Sequence, residues 1–137
     1  MARRSRAREI AFQLLYQDDL NPRVNPAVGD AVIEKDLDSK GLREFARELL
    51  AGVRRHREEL DKLFEQVAEH WSVKRMAATD RNVLRLGAYE ILYTDTPDRV
   101  AINEAVELAK RFGTAESGSF VNGILDRVMH SRTEDSG

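Results

Sequence analysis

Apolar residues in this chain recur at intervals of three and four and hardly ever alternate, so the sequence can bury its hydrophobic surface only by forming helices. Ala7, Ile10, Ala11, Leu14 and Leu15 mark a first helix from about Ser5 to Leu20. The Asn-Pro steps at 21–22 and 25–26 break it, because a residue before proline avoids helical backbone. A short second helix is expected from Ala27 to Lys35. Asp38 or Ser39 can cap a third, carrying Leu42, Phe45, Ala46, Leu49, Leu50 and Val53. Leu60, Leu63, Phe64, Val67 and Ala68 resume the period up to Trp71. Gly52 and the polar run 54–57 leave open whether this is one bent helix or two.

Thr79 reads as an N-cap, with Asp80 suited to the positive helix end. The helix it opens has apolar or small residues around most of its circumference, from Val83 to Leu92, which places it inside a bundle. A turn is expected at 94–98. Residues 100–102 are strand-like in composition. Ala105, Val106, Leu108, Ala109 and Phe112 nevertheless keep helical spacing up to a stop at Gly113. The last helix is expected to start within 116–119, on Val121, Ile124, Leu125 and Val128. Asn122-Gly123 lacks alternating flanks and is read as helix interior, where a close helix contact would be one reason to tolerate the glycine. Residues 131–137 read as a frayed tail. The sum is an all-α fold of about seven helices in a single domain over 1–137, with sub-bundles of about 1–70 and 71–132.

Composition removes several function classes. There are no cysteines, hence no disulfides, thiolate metal sites or thiol nucleophiles. No apolar run approaches the roughly 18 residues of a spanning helix and no signal-peptide core follows the start, so the cytoplasm is the expected location. His56, His70 and His130 show no metal-ligand spacing, and each is read as exposed or capping. The glycines at 113 and 118 lack the Lys-Ser/Thr of a phosphate loop. Glu104 and Glu107 share a helix face, where such residues more often meet arginines or water than act as acids or bases. No enzyme is expected, and no cofactor or metal.

The net charge of −2 conceals a split. Arg3, Arg4, Arg6 and Arg8 stand at the start with no acid among them; the remaining chain has 18 basic against 24 acidic residues. Such asymmetry points to a polyanion at the basic end. Guanidinium groups grip phosphate bidentately and stack on bases. Positive charge at a helix N-terminus also opposes the macrodipole, so selection for stability alone would not place four arginines there. A mobile basic arm leading into a fixed helix would suit a single strand. A second candidate is residues 116–123, where helix-start N–H groups, small hydroxyls and glycine could take phosphate or ribose. Phe120, one residue before the apolar stripe, is either core or an edge aromatic able to stack on a base.

Four segments carry a family resemblance. RAREIAFQLLYQ at 6–17, DRNVLRLGAYE at 80–90, VAINEAVELAK at 100–110 followed by Phe112-Gly113, and SFVNGILD at 119–126 together resemble the NusB proteins, in order and at suitable spacing. Residues 21–40 are not diagnostic. The resemblance implies an all-α fold of two helical sub-bundles. It implies a transcription antitermination factor that binds boxA-type single-stranded RNA of nascent ribosomal RNA with NusE, and joins other Nus factors on RNA polymerase. By position it implies RNA contacts at Arg3, Arg4, Ser5, Arg6, Arg8, Phe120 and Asn122, and NusE contacts at Tyr16, Asp80 and Glu116. Arg81, Arg85, Asn103 and Glu104 are similar to the family pattern too, with Arg85 and Glu104 read as a structural pair. The alternatives are a helical protein–protein adaptor without RNA binding, and a module like the NusB-like domain of some RNA methyltransferases, in which no methyltransferase activity is expected.

Overall fold

The three-and-four spacing is realised as helices joined by short turns among the described residues. The computed structural model describes residues 3–68 and 71–136, the last four as backbone alone. Among them the order is α1 (Arg3–Leu20), α2 (Pro26–Asp36), α3 (Lys40–Val67), a 3-10 turn (Val73–Arg75), α4 (Ala78–Tyr93), α5 (Asp98–Phe112) and α6 (Ser117–Ser136). No strand occurs among the described residues, and 100–102 belong to α5. The expected seven helices become six because α3 runs unbroken for 28 residues. Gly52 is buried inside it, and the run at 54–57 is mostly exposed and rich in arginine, a good helix former. None of the helices among the described residues is long and apolar enough to cross a membrane.

The chain forms two compact units, Met1–Arg55 and His56–Gly137, and α3 contributes to both. The first unit buries Ala7, Ile10, Ala11, Leu14 and Leu15 of α1, Ile33 of α2 with Leu37 just after it, and Ala46, Leu49, Leu50 and Val53 of α3. Its helix boundaries follow from caps. The Asn25 side chain accepts from Ala27 N–H at 2.9 Å beside Pro26 in the first turn. Ser39 Oγ accepts from Leu42 N–H at 3.2 Å, as an N-cap serine should. Arg54 holds Asp18 with two hydrogen bonds of 2.7 and 2.9 Å, tying α3 to the end of α1.

In the second unit α4, α5 and α6 pack on one another. Every residue of α4 from Asn82 to Ile91 is buried, as its all-round apolar pattern requires. A Cβ on Gly87 would lie 2.7 Å from Leu125 Cδ1 and 3.1 Å from Ala105 Cβ, so α5 and α6 both pack close against α4 there. Gly123, by contrast, has nothing within 4 Å of where its Cβ would be. The helix contact expected at that position is absent, and the glycine crowded by two neighbouring helices is Gly87.

Thr79 is not the cap of α4. The 3-10 turn delivers extended backbone at Met76 and Ala77, and the helix opens with Arg81 N–H bonded to Ala77 carbonyl at 3.0 Å. Arg132 donates to Ile91 carbonyl at 2.7 Å and pairs with Asp98, and α6 continues to Ser136. Gly137 lies outside the described residues, as does His70.

Arg85 is buried and donates to Asp61 through two bonds of 2.8 and 2.9 Å, and to Asn82 Oδ1 at 3.0 Å. The partner from α3 was not foreseen in the sequence. Near Asp61, His56 stacks on Tyr93 with centroids 4.1 Å apart, and Tyr93 donates to Glu59 at 3.0 Å. This clip joins α3 to α4. The Tyr93 hydrogen bond, helped by one from His56, lowers the Glu59 pKa; partial burial, then the Glu59 contact, raises that of Tyr93.

Candidate nucleic-acid interface

The arginines at the start of the chain are helical from Arg3 onward, so they form a fixed comb and not a mobile arm. No acidic residue occupies the first turn of α1, and the positive end of the helix adds to the field of the side chains. Spacing of four puts Arg4 and Arg8 on one face, and both guanidinium groups lie over the Phe45 ring, at 4.4 and 5.2 Å from its centroid. Their surroundings differ. Arg4 is exposed, whereas Arg8 is 4% exposed. Arg3 is exposed and meets Asp38 at 3.1 Å, and Arg6 is half-exposed and pairs with the buried Glu9. Three of the four arginines are therefore exposed, two of them ion-paired, whereas Arg8 is buried against Phe45. Ser5 is half-buried between them in sequence, and Tyr16, further along α1, leans on Phe12 with centroids 6.2 Å apart.

The remaining candidates belong to the second unit. Gly113 ends α5, and Ser117 opens α6 as a buried residue whose Oγ accepts from Thr114 N–H at 2.9 Å. A Cβ on Gly113 would fall 2.3 Å from that Oγ, so the turn can close only on glycine. This holds Glu116 out in solvent and starts α6 so that Phe120 emerges at the border of the core. Phe120 is half-buried, neither of the extremes, and meets Trp71 edge-on with centroids 5.5 Å apart and ring planes at 69°. Asn122 is exposed on the next turn. Asp80, in the first turn of α4, is half-buried, and its Oδ1 is a buried oxygen without a hydrogen-bond partner.

Beside the Phe120–Trp71 pair lies a pocket of about 370 Å³, bounded by Ala68 and Trp71 and by Ser119, Phe120, Gly123 and Arg127 of α6. Arg127 donates to Val67 carbonyl at 2.8 Å, which closes the end of α3 and fixes the guanidinium at the pocket rim. In the sequence Trp71 reads only as the end of an apolar stripe, and neither Arg127 nor Phe45 carries a local functional signal. Trp71 is 52% exposed, unusual for the one tryptophan of a small helical chain; that exposure is a tertiary property.

Comparison with known proteins gives a consistent answer. The NusB family profile matches residues 5–130. A protein of Desulfatibacillum aliphaticivorans described as transcription antitermination protein NusB is 44% identical, over 98% of this chain and 96% of its own length. The protein of the same description from Myxococcus xanthus is 45% identical over 93% of this chain and 95% of its own. Among solved structures, T. maritima NusB superposes with a TM-score of 0.83 at 40% identity, over 95% of this chain and 92% of that one. A NusB solved with NusE and double-stranded RNA gives 0.83 at 33% identity, over 96% and 98%.

Proposed function

Because this chain belongs to the NusB family, we propose that it acts as a non-enzymatic transcription antitermination factor that binds boxA-type single-stranded RNA of nascent ribosomal RNA together with NusE. The observation that carries the RNA reading is the comb of solvent-facing cations at Arg3, Arg4 and Arg6 on a helix end without an acid. That arrangement opposes the helix dipole; Asp38 and Glu9 pair with Arg3 and Arg6, yet all three arginines keep exposed side chains that suit a phosphate chain. The half-exposed aromatics Trp71 and Phe120 favour a single strand, since bases inside a duplex offer no free face to stack on. Arg3, Arg4, Arg6, Phe120 and Asn122 would meet RNA directly, while Arg8 and Ser5 support the comb from below.

A relative solved with NusE and double-stranded RNA supports NusE as partner and RNA as ligand class. Tyr16, Asp80 and Glu116 are the residues proposed to face NusE; as carboxylates, Asp80 and Glu116 suit a basic ribosomal protein. Other Nus factors and RNA polymerase would complete the assembly, in the cytoplasm.

The test is binding of boxA RNA and a scrambled control, with and without NusE, across a salt series. Tighter binding of boxA, strengthened by NusE, is the expected result. Arg3→Gln and Arg4→Gln should each reduce the slope of log K against log salt by about 0.7. Equal binding of both RNAs, or a slope unmoved by these changes, would refute the reading and leave a protein–protein adaptor.

A further inference from the structure

We propose that the pocket beside Trp71 is a single-nucleotide slot: Trp71 supplies the stacking face for one unpaired base, Arg127 holds its phosphate, and Gly123 keeps the space open. This rests on the RNA reading above and names the chemistry of one place within it.

The observations converge from separate directions. A volume of about 370 Å³ is at the small end of the roughly 300–1,000 Å³ typical of ligand pockets, a size for one nucleotide unit. Trp71 is half exposed and meets Phe120 edge-on. An exposed indole, with only two side-chain torsions to order, is a low-entropy stacking platform. Arg127 is anchored by Val67 carbonyl at 2.8 Å, a bond that uses one of the five N–H donors of a guanidinium. Ser119, also on the wall, adds a hydroxyl.

Gly123 is the most telling member. It sits in the middle of α6, where glycine is less favourable than alanine by about 1 kcal/mol. Packing does not require it, since a Cβ there would meet nothing within 4 Å. The same residue lines the pocket. A helix-favouring side chain at 123 would stiffen α6 and fill the slot, so the glycine is explained by what must enter.

Trp71 is the sole tryptophan, so its fluorescence reports on the slot directly. The full chain is titrated with boxA RNA while anisotropy of a label on the RNA reports binding independently. Trp71 emission should be quenched in step with anisotropy. Trp71→Ala should weaken binding about 5- to 150-fold and Trp71→Phe much less. Arg127→Gln should lower the salt slope by about 0.7, and Arg127→Lys should restore it. Gly123→Gln should keep or raise the thermal midpoint yet lose quenching and affinity, which separates occlusion from misfolding. Wild-type affinity in Trp71→Ala or Gly123→Gln overturns the slot while RNA binding stands. Quenching by NusE alone, with none by RNA, overturns it in favour of a protein contact. If the wild-type chain binds no RNA, the slot and the proposed function fall together.

Discussion

Arginines four residues apart on one helix face, above the same phenylalanine, are set to do different work by burial. Arg4 keeps its guanidinium in water, where its contact with Phe45 contributes on the order of 0.5–1 kcal/mol and yields readily to a phosphate. Arg8 is nearly sealed, so its charge and stem are part of the packing around Phe45. Arg8→Ala is therefore expected to lower stability by about 2 kcal/mol in denaturant unfolding, and Arg4→Ala by less than about 1. RNA salt dependence should reverse the order, with Arg4→Ala lowering the slope and Arg8→Ala leaving it close to wild type at temperatures where the variant is folded. Equal effects of the two on both measurements would contradict the distinction. The sequence revealed that four cations gather at this end. It did not reveal which of them is buried, because that depends on Phe45, far along the chain on α3.

At the scale of elements, glycine has opposite meanings in α4 and α6. Gly87→Ala should destabilise the second unit by about 1–3 kcal/mol despite alanine's better helix propensity, because Ala105 Cβ on the neighbouring helix cannot swing aside as Leu125 can. A gain in stability would show that α4 and α5 are not in such close contact. The α3–α4 clip makes a pH prediction. Glu59 has its pKa lowered below 4.5, so it binds fewer protons folded than unfolded; its contribution is present above that value and is lost as pH falls through the folded pKa. Tyr93 has its pKa raised above 10.0, so its contribution is lost as pH rises through that region. Between these limits a protonated phenol donates to an ionised carboxylate. Stability measured against pH should be flatter in Tyr93→Phe at both ends; an unchanged profile would remove the clip from the account. Helix edges were less legible than helices. Asn25, Ser39 and Gly113 behave as their chemistry suggests, whereas the cap expected at Thr79 is displaced because a 3-10 turn upstream fixes the entry.

For the molecule as a whole, hydrophobic spacing decides class because burying an apolar stripe with a period near 3.6 has only helical solutions. Charge decides the kind of partner, since four arginines against a helix dipole and an acidic remainder are visible in linear order. The sequence by itself therefore determined an all-helical chain with a cationic end, and its four ordered motifs identified the family. Tertiary structure alone decided that 40–67 is one helix, that Asp61 holds Arg85, that Arg8 is buried, and that Trp71, Phe120, Gly123 and Arg127 surround one cavity. The physical reason is range. Period, caps and charge runs act over a few residues and leave a local trace, whereas burial and cavities arise where segments tens of residues apart meet, and no local pattern records that meeting.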